Sequence, residues 1–425
     1  MSKLALLGGP SSVTAPLPLF RTIGRREREL VNEVLDNGLL SGFFGSWSPE
    51  FYGGAMVRRL EEHWATMFGA RHAVSMNSAT SGLIAAMGAI GIGPGDEVIV
   101  PPYTMSATAI APLFYGGIPV FADIEAQTFC LDPAKVAALV SPRTKAIIAV
   151  NLFGHPAPLA ELRALADKHG ISLVEDNAQG ILARESGRYA GTIGHIGVFS
   201  LNVHKHIQAG EGGICTTDDP ALALRLQAIR NHGENVVNAA GITDLTNMVG
   251  FNFRMTELSA AVGLAQLEKV EDLVAGRQAL ARDLSAGLTG LPGVTPPEVR
   301  AGCEHVYYVL ALRIDEGALG LSRDLFVKAV EAEGIPLYAG YINPLYRLPM
   351  FQQRIAIGGG GFPFSLDPGR TYADGLCPVT ERMHDEQFVG YEICAYDPTP
   401  EQVAQMVAGV RKVVENRREL SERAA

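Results

Sequence analysis

Val98-Ile99-Val100-Pro101-Pro102-Tyr103-Thr104-Met105-Ser106-Ala107-Thr108-Ala109-Ile110-Ala111-Pro112-Leu113-Phe114-Tyr115-Gly116-Gly117-Ile118-Pro119-Val120-Phe121-Ala122 carries no charged side chain. Read as one helix, it is long enough to cross a bilayer, which takes about 20 apolar residues. Its prolines forbid that reading. Pro101, Pro102, Pro112 and Pro119 each lack a backbone donor and crowd the preceding turn, and the Gly116-Gly117 pair adds a further break. The run divides instead into a buried strand over 98–100, a helix over 106–115 and a second buried strand over 119–123.

The same alternation extends in both directions. Residues 56–68 place Met56, Leu60, Trp64 and Met67 at helical spacing on one face. Strands are expected over 73–76, 146–150, 172–176, 197–201 and 213–216, with helices over 80–90 and 159–169. Strands that alternate with helices imply right-handed crossovers and a mostly parallel sheet covered by helices on both faces. The fold class is therefore α/β.

After Thr256 the pattern changes. Helical periodicity runs over 256–288, broken at Gly263 and Gly276. A smaller α/β segment follows, with a strand over 305–314 and helices over 323–333 and 400–417. Residues 352–375, with glycine at every position of 358–361, form a long surface loop that lacks the strand–turn–helix setting of a phosphate cradle. Four regions result: an N-terminal arm with a loop bordering the substrate (1–55), a large domain (56–255), a long linking helix (256–290) and a small C-terminal domain (291–425).

The 425 residues hold 35 Lys and Arg against 45 Asp and Glu, for a net charge of −10. With 47% hydrophobic and 19% charged residues, disorder is excluded as the main state. The acidic balance argues against a nucleic-acid binder and against an anionic membrane surface, while leaving room for a local pocket for a phosphorylated ligand. Cys130, Cys215, Cys303, Cys377 and Cys394 form neither a CxxC pair nor a zinc spacing, so no disulfide framework and no metal site is expected. Residues 1–10, with one lysine and a short apolar run, make a poor signal peptide. A reducing, cytoplasmic location follows.

Three stretches carry candidate chemistry. In Phe199-Ser200-Leu201-Asn202-Val203-His204-Lys205-His206-Ile207-Gln208-Ala209-Gly210-Glu211-Gly212-Gly213, a lysine leaves an apolar strand just before a glycine-rich turn. Withdrawn from water, such a lysine loses proton affinity and becomes a candidate for Schiff-base chemistry; otherwise it is a solvated surface group. In Val174-Glu175-Asp176-Asn177-Ala178-Gln179-Gly180, Asp176 ends an apolar strand, where parallel sheets place their ligand crevice. It could pair with a cationic ring nitrogen, or serve as a turn carboxylate. Ser75-Met76-Asn77-Ser78-Ala79-Thr80-Ser81-Gly82 is rich in hydroxyls between a strand and a helix, which suits a phosphate or an ordinary N-cap by Ser78 or Thr80. Together they describe what pyridoxal phosphate (PLP) needs: a phosphate seat, a carboxylate for the ring nitrogen and a lysine for the aldehyde.

The chain resembles the sugar aminotransferases of the DegT/DnrJ/StrS family, a branch of the fold type I PLP-transferases. The likeness runs from about Arg58 to Leu267 and more faintly beyond. It rests on Gly95-Asp96-Glu97-Val98-Ile99-Val100-Pro101, Ser141-Pro142-Arg143-Thr144-Lys145-Ala146-Ile147-Ile148, Asn151-Leu152-Phe153-Gly154-His155 and Gly250-Phe251-Asn252-Phe253-Arg254-Met255. The resemblance implies a large PLP-binding domain with a smaller C-terminal one. It makes Lys205 the Schiff-base lysine, Asp176 the partner of the pyridine nitrogen and Gln179 a neighbour of the ring. Thr80 and Ser81 become the phosphate pair, joined by Ser200. Asn252 reaches the neighbouring subunit's phosphate site, so a homodimer with shared active sites is implied. The family places an aromatic side chain over the ring; here Met105 of Pro102-Tyr103-Thr104-Met105 stands at that position, where a thioether can pack on the ring face.

The flanking His204 and His206 would face away from Lys205 if the segment is extended, and are assigned a structural role. Trp47-Ser48-Pro49-Glu50-Phe51-Tyr52-Gly53-Gly54 resembles loops that border the substrate pocket, and packing of the arm is its other reading. His305, Tyr341, Tyr346 and Glu381 resemble positions of the family's smaller domain without assigned roles. The implied activity transfers an amino group from glutamate or glutamine to a ketone on a sugar, nucleotide sugar or cyclitol. A PLP-dependent dehydratase, a bifunctional aminobenzoate-type synthase or a non-catalytic PLP-binding regulator are the alternatives. Relatives that deoxygenate replace the lysine with histidine, and here the lysine is intact.

Overall fold

Successive residues of a strand face opposite sides of its sheet, and the central strands of this chain are apolar on both. Ile147 and Ala149 enter one hydrophobic cluster while Ala146 and Ile148 enter another, and Ile99 is separated in the same way from Val98 and Val100. A sheet built from such strands must be covered twice. The computed structural model, which describes residues 3–424, shows this arrangement; residues 1, 2 and 425 of the expected arm and C-terminal domain lie outside the described residues. Seven strands form the main sheet: β1 (His72–Met76), β2 (Glu97–Val100), β3 (Ile118–Phe121), β4 (Thr144–Val150), β5 (Ser172–Asp176), β6 (Ile196–Ser200) and β7 (Gly213–Thr217). Their spatial order is β1-β7-β6-β5-β4-β2-β3. Only β7 runs against its neighbours in this sheet. The connection from β6 to β7 contains no helix, and a chain that returns without a crossover pairs antiparallel.

The Ala79–Ala89 helix is buried from Ser81 onward and lies in the cluster on one face. The Ala55–Phe68 and Glu257–Leu267 helices pack in the other. The buried Glu257 carboxylate accepts the first N–H groups of the former, from Met56 at 2.8 Å and Val57 at 3.3 Å, linking the two helices end to face.

A second, four-stranded antiparallel sheet is built from Val294–Thr295, Leu310–Ile314, Phe388–Tyr391 and Tyr338–Ala339, in that order. Leu4 and Val13 of the N-terminal arm lie in its core beside the Val270–Leu288 and Pro400–Glu415 helices.

Several expected elements are corrected. The helix over 106–115 is α-helical only over Ala107–Ile110 and continues as a 3-10 turn over Ala111–Tyr115, where Pro112 supplies no N–H. The single helix over 256–288 is two, Glu257–Leu267 and Val270–Leu288, and the break falls at Glu268 and Lys269 rather than at a glycine. Lys269 is drawn off by Glu27 at 2.5 Å, while Gly263 stays helical and lets Leu60 and Leu201 approach.

The strand over 305–314 begins only at Leu310, because Val306 and Tyr308 donate their N–H groups to Gly154 and Phe153 of the large-sheet side. The loop over 352–375 is not merely a surface loop: Tyr372 is buried against Phe121 and Phe364, and it donates its hydroxyl to the Pro119 carbonyl at 2.9 Å. The helix over 400–417 ends at Glu415, and a separate one covers Arg417–Ala424.

Candidate active site

Parallel strands bring their carboxyl ends to one edge of a sheet, where side chains leave the barrier of backbone and face a common crevice. Here β5 ends on Asp176 and β6 on Ser200, and the Ala79–Ala89 helix starts just after β1. They share the wall of one cavity of about 380 Å³, which also receives Thr80, Met105, Gln179, Lys205, Tyr308 and Tyr341. That volume lies in the range of pockets for small ligands and cofactors.

At one end, Ser78 caps the helix by accepting the Ser81 N–H at 3.0 Å, and Thr80 and Ser200 add hydroxyls to the wall. Helix N-terminal N–H groups carry partial positive charge and suit a phosphate. The backbone there is held tightly: a Cβ on Gly213, the first residue of β7, would stand 2.6 Å from the Ala79 nitrogen and from Ser78 backbone atoms. Gly213→Ala should therefore displace the helix start. Overpacking of this kind costs about 1–3 kcal/mol, and we expect PLP affinity to fall by about tenfold to a hundredfold. Equilibrium dialysis checks this, and an unchanged Kd would show that the helix start is not the phosphate seat.

Deeper in, Asp176 accepts the Thr108 hydroxyl at 2.7 Å and the Ala178 N–H at 3.2 Å. Burial pushes its carboxyl above the ordinary range, against these hydrogen bonds and the charge of Lys205. A cation placed against it would restore its charge. Its neighbour Glu175 faces the other way and accepts the Gly191, Ile193 and Gly194 N–H groups, a clamp on the chain entering β6.

Lys205 lies in the connection between β6 and β7, where its N–H donates to the Asn202 carbonyl at 3.0 Å. Burial holds its ammonium below the ordinary lysine range, against the opposing pull of Asp176, Cys394 and Glu392. Such an amine is closer to the neutral, nucleophilic form. Gln179 accepts the Phe153 N–H at 2.8 Å and donates to the Tyr341 hydroxyl at 3.0 Å, so its amide is fixed from both ends.

The structure brings Lys205, Asp176, Gln179, Thr80, Ser200 and Met105 together. Ser81 is buried behind the cap instead, with its hydroxyl 2.6 Å from Asn77 Oδ1 and 2.9 Å from Ser78 Oγ; Ser78 stands with Thr80 on the wall. Asn252 is exposed, does not line this cavity, and accepts the Arg254 Nε–H at 2.9 Å.

Because the chain turns rather than extends at Lys205, His204 joins the same cavity and the expected alternation fails there. His206 is buried, its Nε2 2.9 Å from the Val306 carbonyl, and burial lowers its pKa to about 4. Tyr103 is fully buried among Phe129, Tyr341 and Phe388 and leaves the wall to Met105, which is 57% exposed.

Of the four C-terminal positions, only Tyr341 reaches the cavity. His305 stacks on Tyr307, and Tyr346 is buried and donates its hydroxyl to Glu381. Trp47 packs with Phe51 and Tyr52 beside a separate hollow. Sequence reasoning missed Thr108 and Tyr308, which reach the site from distant stretches without a local signature.

The donor set meets each demand of PLP: hydroxyls at a helix start for the phosphate, a buried carboxylate for the ring nitrogen and a desolvated lysine for the aldehyde. A model of the DegT/DnrJ/EryC1/StrS aminotransferase family matches residues 24–413. The chain belongs to this family. This DegT/DnrJ/EryC1/StrS protein is a PLP-dependent aminotransferase. It is 35% identical to the GDP-perosamine synthase of Caulobacter vibrioides, over 80% of this chain and 86% of that protein. It is 32% identical to a putative L-glutamine:3-amino-2,3-dideoxy-scyllo-inosose aminotransferase of Streptomyces kanamyceticus, over 98% of each. Among solved structures, DesI in the presence of its TDP-sugar product superposes with a TM-score of 0.81 at 31% identity, covering 99% of this chain and 98% of that one. This match supports the fold type I architecture expected from the sequence.

Proposed function

We propose that this aminotransferase moves an amino group from glutamate or glutamine to a ketone carried on a sugar, nucleotide sugar or cyclitol. The observation that carries the reading is the convergence of Lys205, Asp176 and the hydroxylated helix start on one cavity. The donor and acceptor classes follow the relatives, whose names include both a sugar-nucleotide enzyme and a glutamine-dependent cyclitol enzyme.

PLP supplies an aldehyde that condenses with amines and a protonated ring that draws electrons from the adjacent carbon. Ser78, Thr80 and Ser200 would hold its phosphate, Asp176 its ring nitrogen and Lys205 its aldehyde, with Met105 against the ring. Lys205 then carries the proton to and from the amino acid's α-carbon, a role that its lowered proton affinity serves. Gln179, fixed between Phe153 and Tyr341, keeps the wall beside the ring in place. Asn252, exposed and outside its own cavity, would complete the phosphate site of a second copy in a homodimer. Among the described residues no helix is long and apolar enough to cross a membrane. The five free cysteines suit a reducing, cytoplasmic setting.

The test is a two-step transfer. Enzyme loaded with PLP is treated with glutamine, freed of donor and mixed with keto sugars, nucleotide keto sugars and ketocyclitols. One acceptor class should restore the visible absorbance and yield one amine per site, and steady-state plots should be parallel. The same preparation should sediment as a dimer. Absence of amine from every acceptor, or a monomer at micromolar concentration, would overturn the respective part of the proposal.

A further inference from the structure

Lys205 is the one amine of the cavity wall, and a partly desolvated ammonium gains from a partner. Among the described residues it forms no ion pair. Its Nζ instead lies over the ring of Tyr308, 4.2 Å from the centroid. A cation within about 6 Å of an aromatic face is attracted by the ring's quadrupole, most strongly where water is excluded. Tyr308 is 8% exposed and belongs to the cavity wall, while Lys205 is half-buried, so the ring side of this contact is shielded from water.

The ring is held there by the backbone. Its N–H donates to the Phe153 carbonyl at 2.7 Å, and the Val306 N–H to the Gly154 carbonyl at 3.0 Å. This pairing delays the strand until Leu310. Tyr307, at φ 55, turns the chain between them, and Gly154 at φ 93 leaves no room for a side chain, since a Cβ would stand 2.9 Å from the Tyr307 nitrogen. The irregular stretch before the strand thus has a purpose. It brings a residue of the C-terminal half under the lysine between β6 and β7.

We infer that Tyr308 is a positioning residue for Lys205: its ring face is the resting place of the ammonium whenever the lysine is not bonded to the cofactor. The inference rests on the reading of Lys205 as the cofactor-bearing amine. During transfer the lysine must be released, stay within reach and take up and return a proton. A carboxylate in direct contact would hold that proton too firmly. A ring face retains the cation through a weaker, non-directional attraction. The other charged and titratable groups around Lys205 are Asp176 at the end of β5, Glu211 and Tyr341 on the same wall, Glu392 and Cys394 beyond the Phe388–Tyr391 strand, and the flanking His204 and His206. Glu392 is engaged by the Tyr338 hydroxyl at 2.8 Å.

The experiment varies the π charge of the ring without changing its shape. Position 308 is replaced by Phe and by a trifluorinated phenylalanine, and Lys205 of the cofactor-free protein is modified with an amine-reactive aryl sulfonate across pH and read by mass spectrometry. Tyr308→Phe should keep the wild-type midpoint. The fluorinated ring should lower it by about 0.5–1.5 pH units, the loss of most of a half-buried cation–π contact. In the PLP-loaded enzyme the same substitution should lower kcat about threefold to thirtyfold, with KM for the donor unchanged. Tyr308→Leu repeats the comparison with the ring removed. Equal midpoints for Phe and its fluorinated analogue would overturn the inference. The cofactor-free titration reads the ring contact whether or not Lys205 carries the aldehyde, so its failure is distinguishable from failure of the proposed function.

Discussion

Lys205→Ala should lower turnover by about three orders of magnitude or more, since positioned acid–base catalysis alone contributes about 10²–10⁴-fold and the covalent link to the aldehyde is lost with it. The visible absorbance of the lysine-bound cofactor should vanish as well. The fold should survive. Lys205 is only half-buried, no ion pair depends on it among the described residues, and its removal relieves the cost of a partly desolvated ammonium. Circular dichroism and thermal melting should therefore match wild type, and added small amines should restore part of the rate by diffusing into the vacated space. A variant that keeps a tenth of the activity would remove Lys205 from the chemistry.

Asp176→Asn tests the opposite end of the cavity. The amide is nearly isosteric and can still accept the Thr108 hydroxyl, so packing and much of the cofactor affinity should persist. What it lacks is charge. A protonated ring nitrogen facing a neutral amide in a buried site is an unpaired cation, and the ring will shed the proton that makes it an electron sink. Proton removal from the amino acid should slow by about 10²–10³-fold, the scale of losing one preorganised electrostatic partner. The check is the kinetic isotope effect with α-deuterated donor. It should rise in the variant as proton removal becomes the slow step. Wild-type rates in Asp176→Asn would defeat the electron-sink role.

Much of this was legible from local signals. Asp176 ends β5 where the apolar run stops, and Ser78 caps a helix whose buried face begins with Ser81. Such features depend on residues a few positions apart, which periodicity and capping chemistry report directly. The misreadings share one cause. An extended chain would put His204 opposite Lys205, but the hydrogen bond from the Lys205 N–H to the Asn202 carbonyl makes this stretch a turn. Glycine content places the break of the helix over 256–288 at Gly263 and Gly276, but it falls at Glu268 and Lys269, where Lys269 reaches the distant Glu27. Thr108 and Tyr308 went unnoticed because nothing near them in the chain marks them as neighbours of Asp176 and Lys205.

Binary pattern and the charge-free, proline-punctuated run at 98–122 sufficed to specify a doubly covered parallel sheet, because burial on both faces demands strands apolar on both. Motif residues likewise named the lysine and the carboxylate. Which hydroxyl supports Asp176, which ring lies beneath Lys205 and which serine faces the cavity were decided only when the chain folded. Those contacts join segments up to about a hundred residues apart, and their geometry is set by backbone pairings such as Tyr308 to Phe153 that no local pattern encodes.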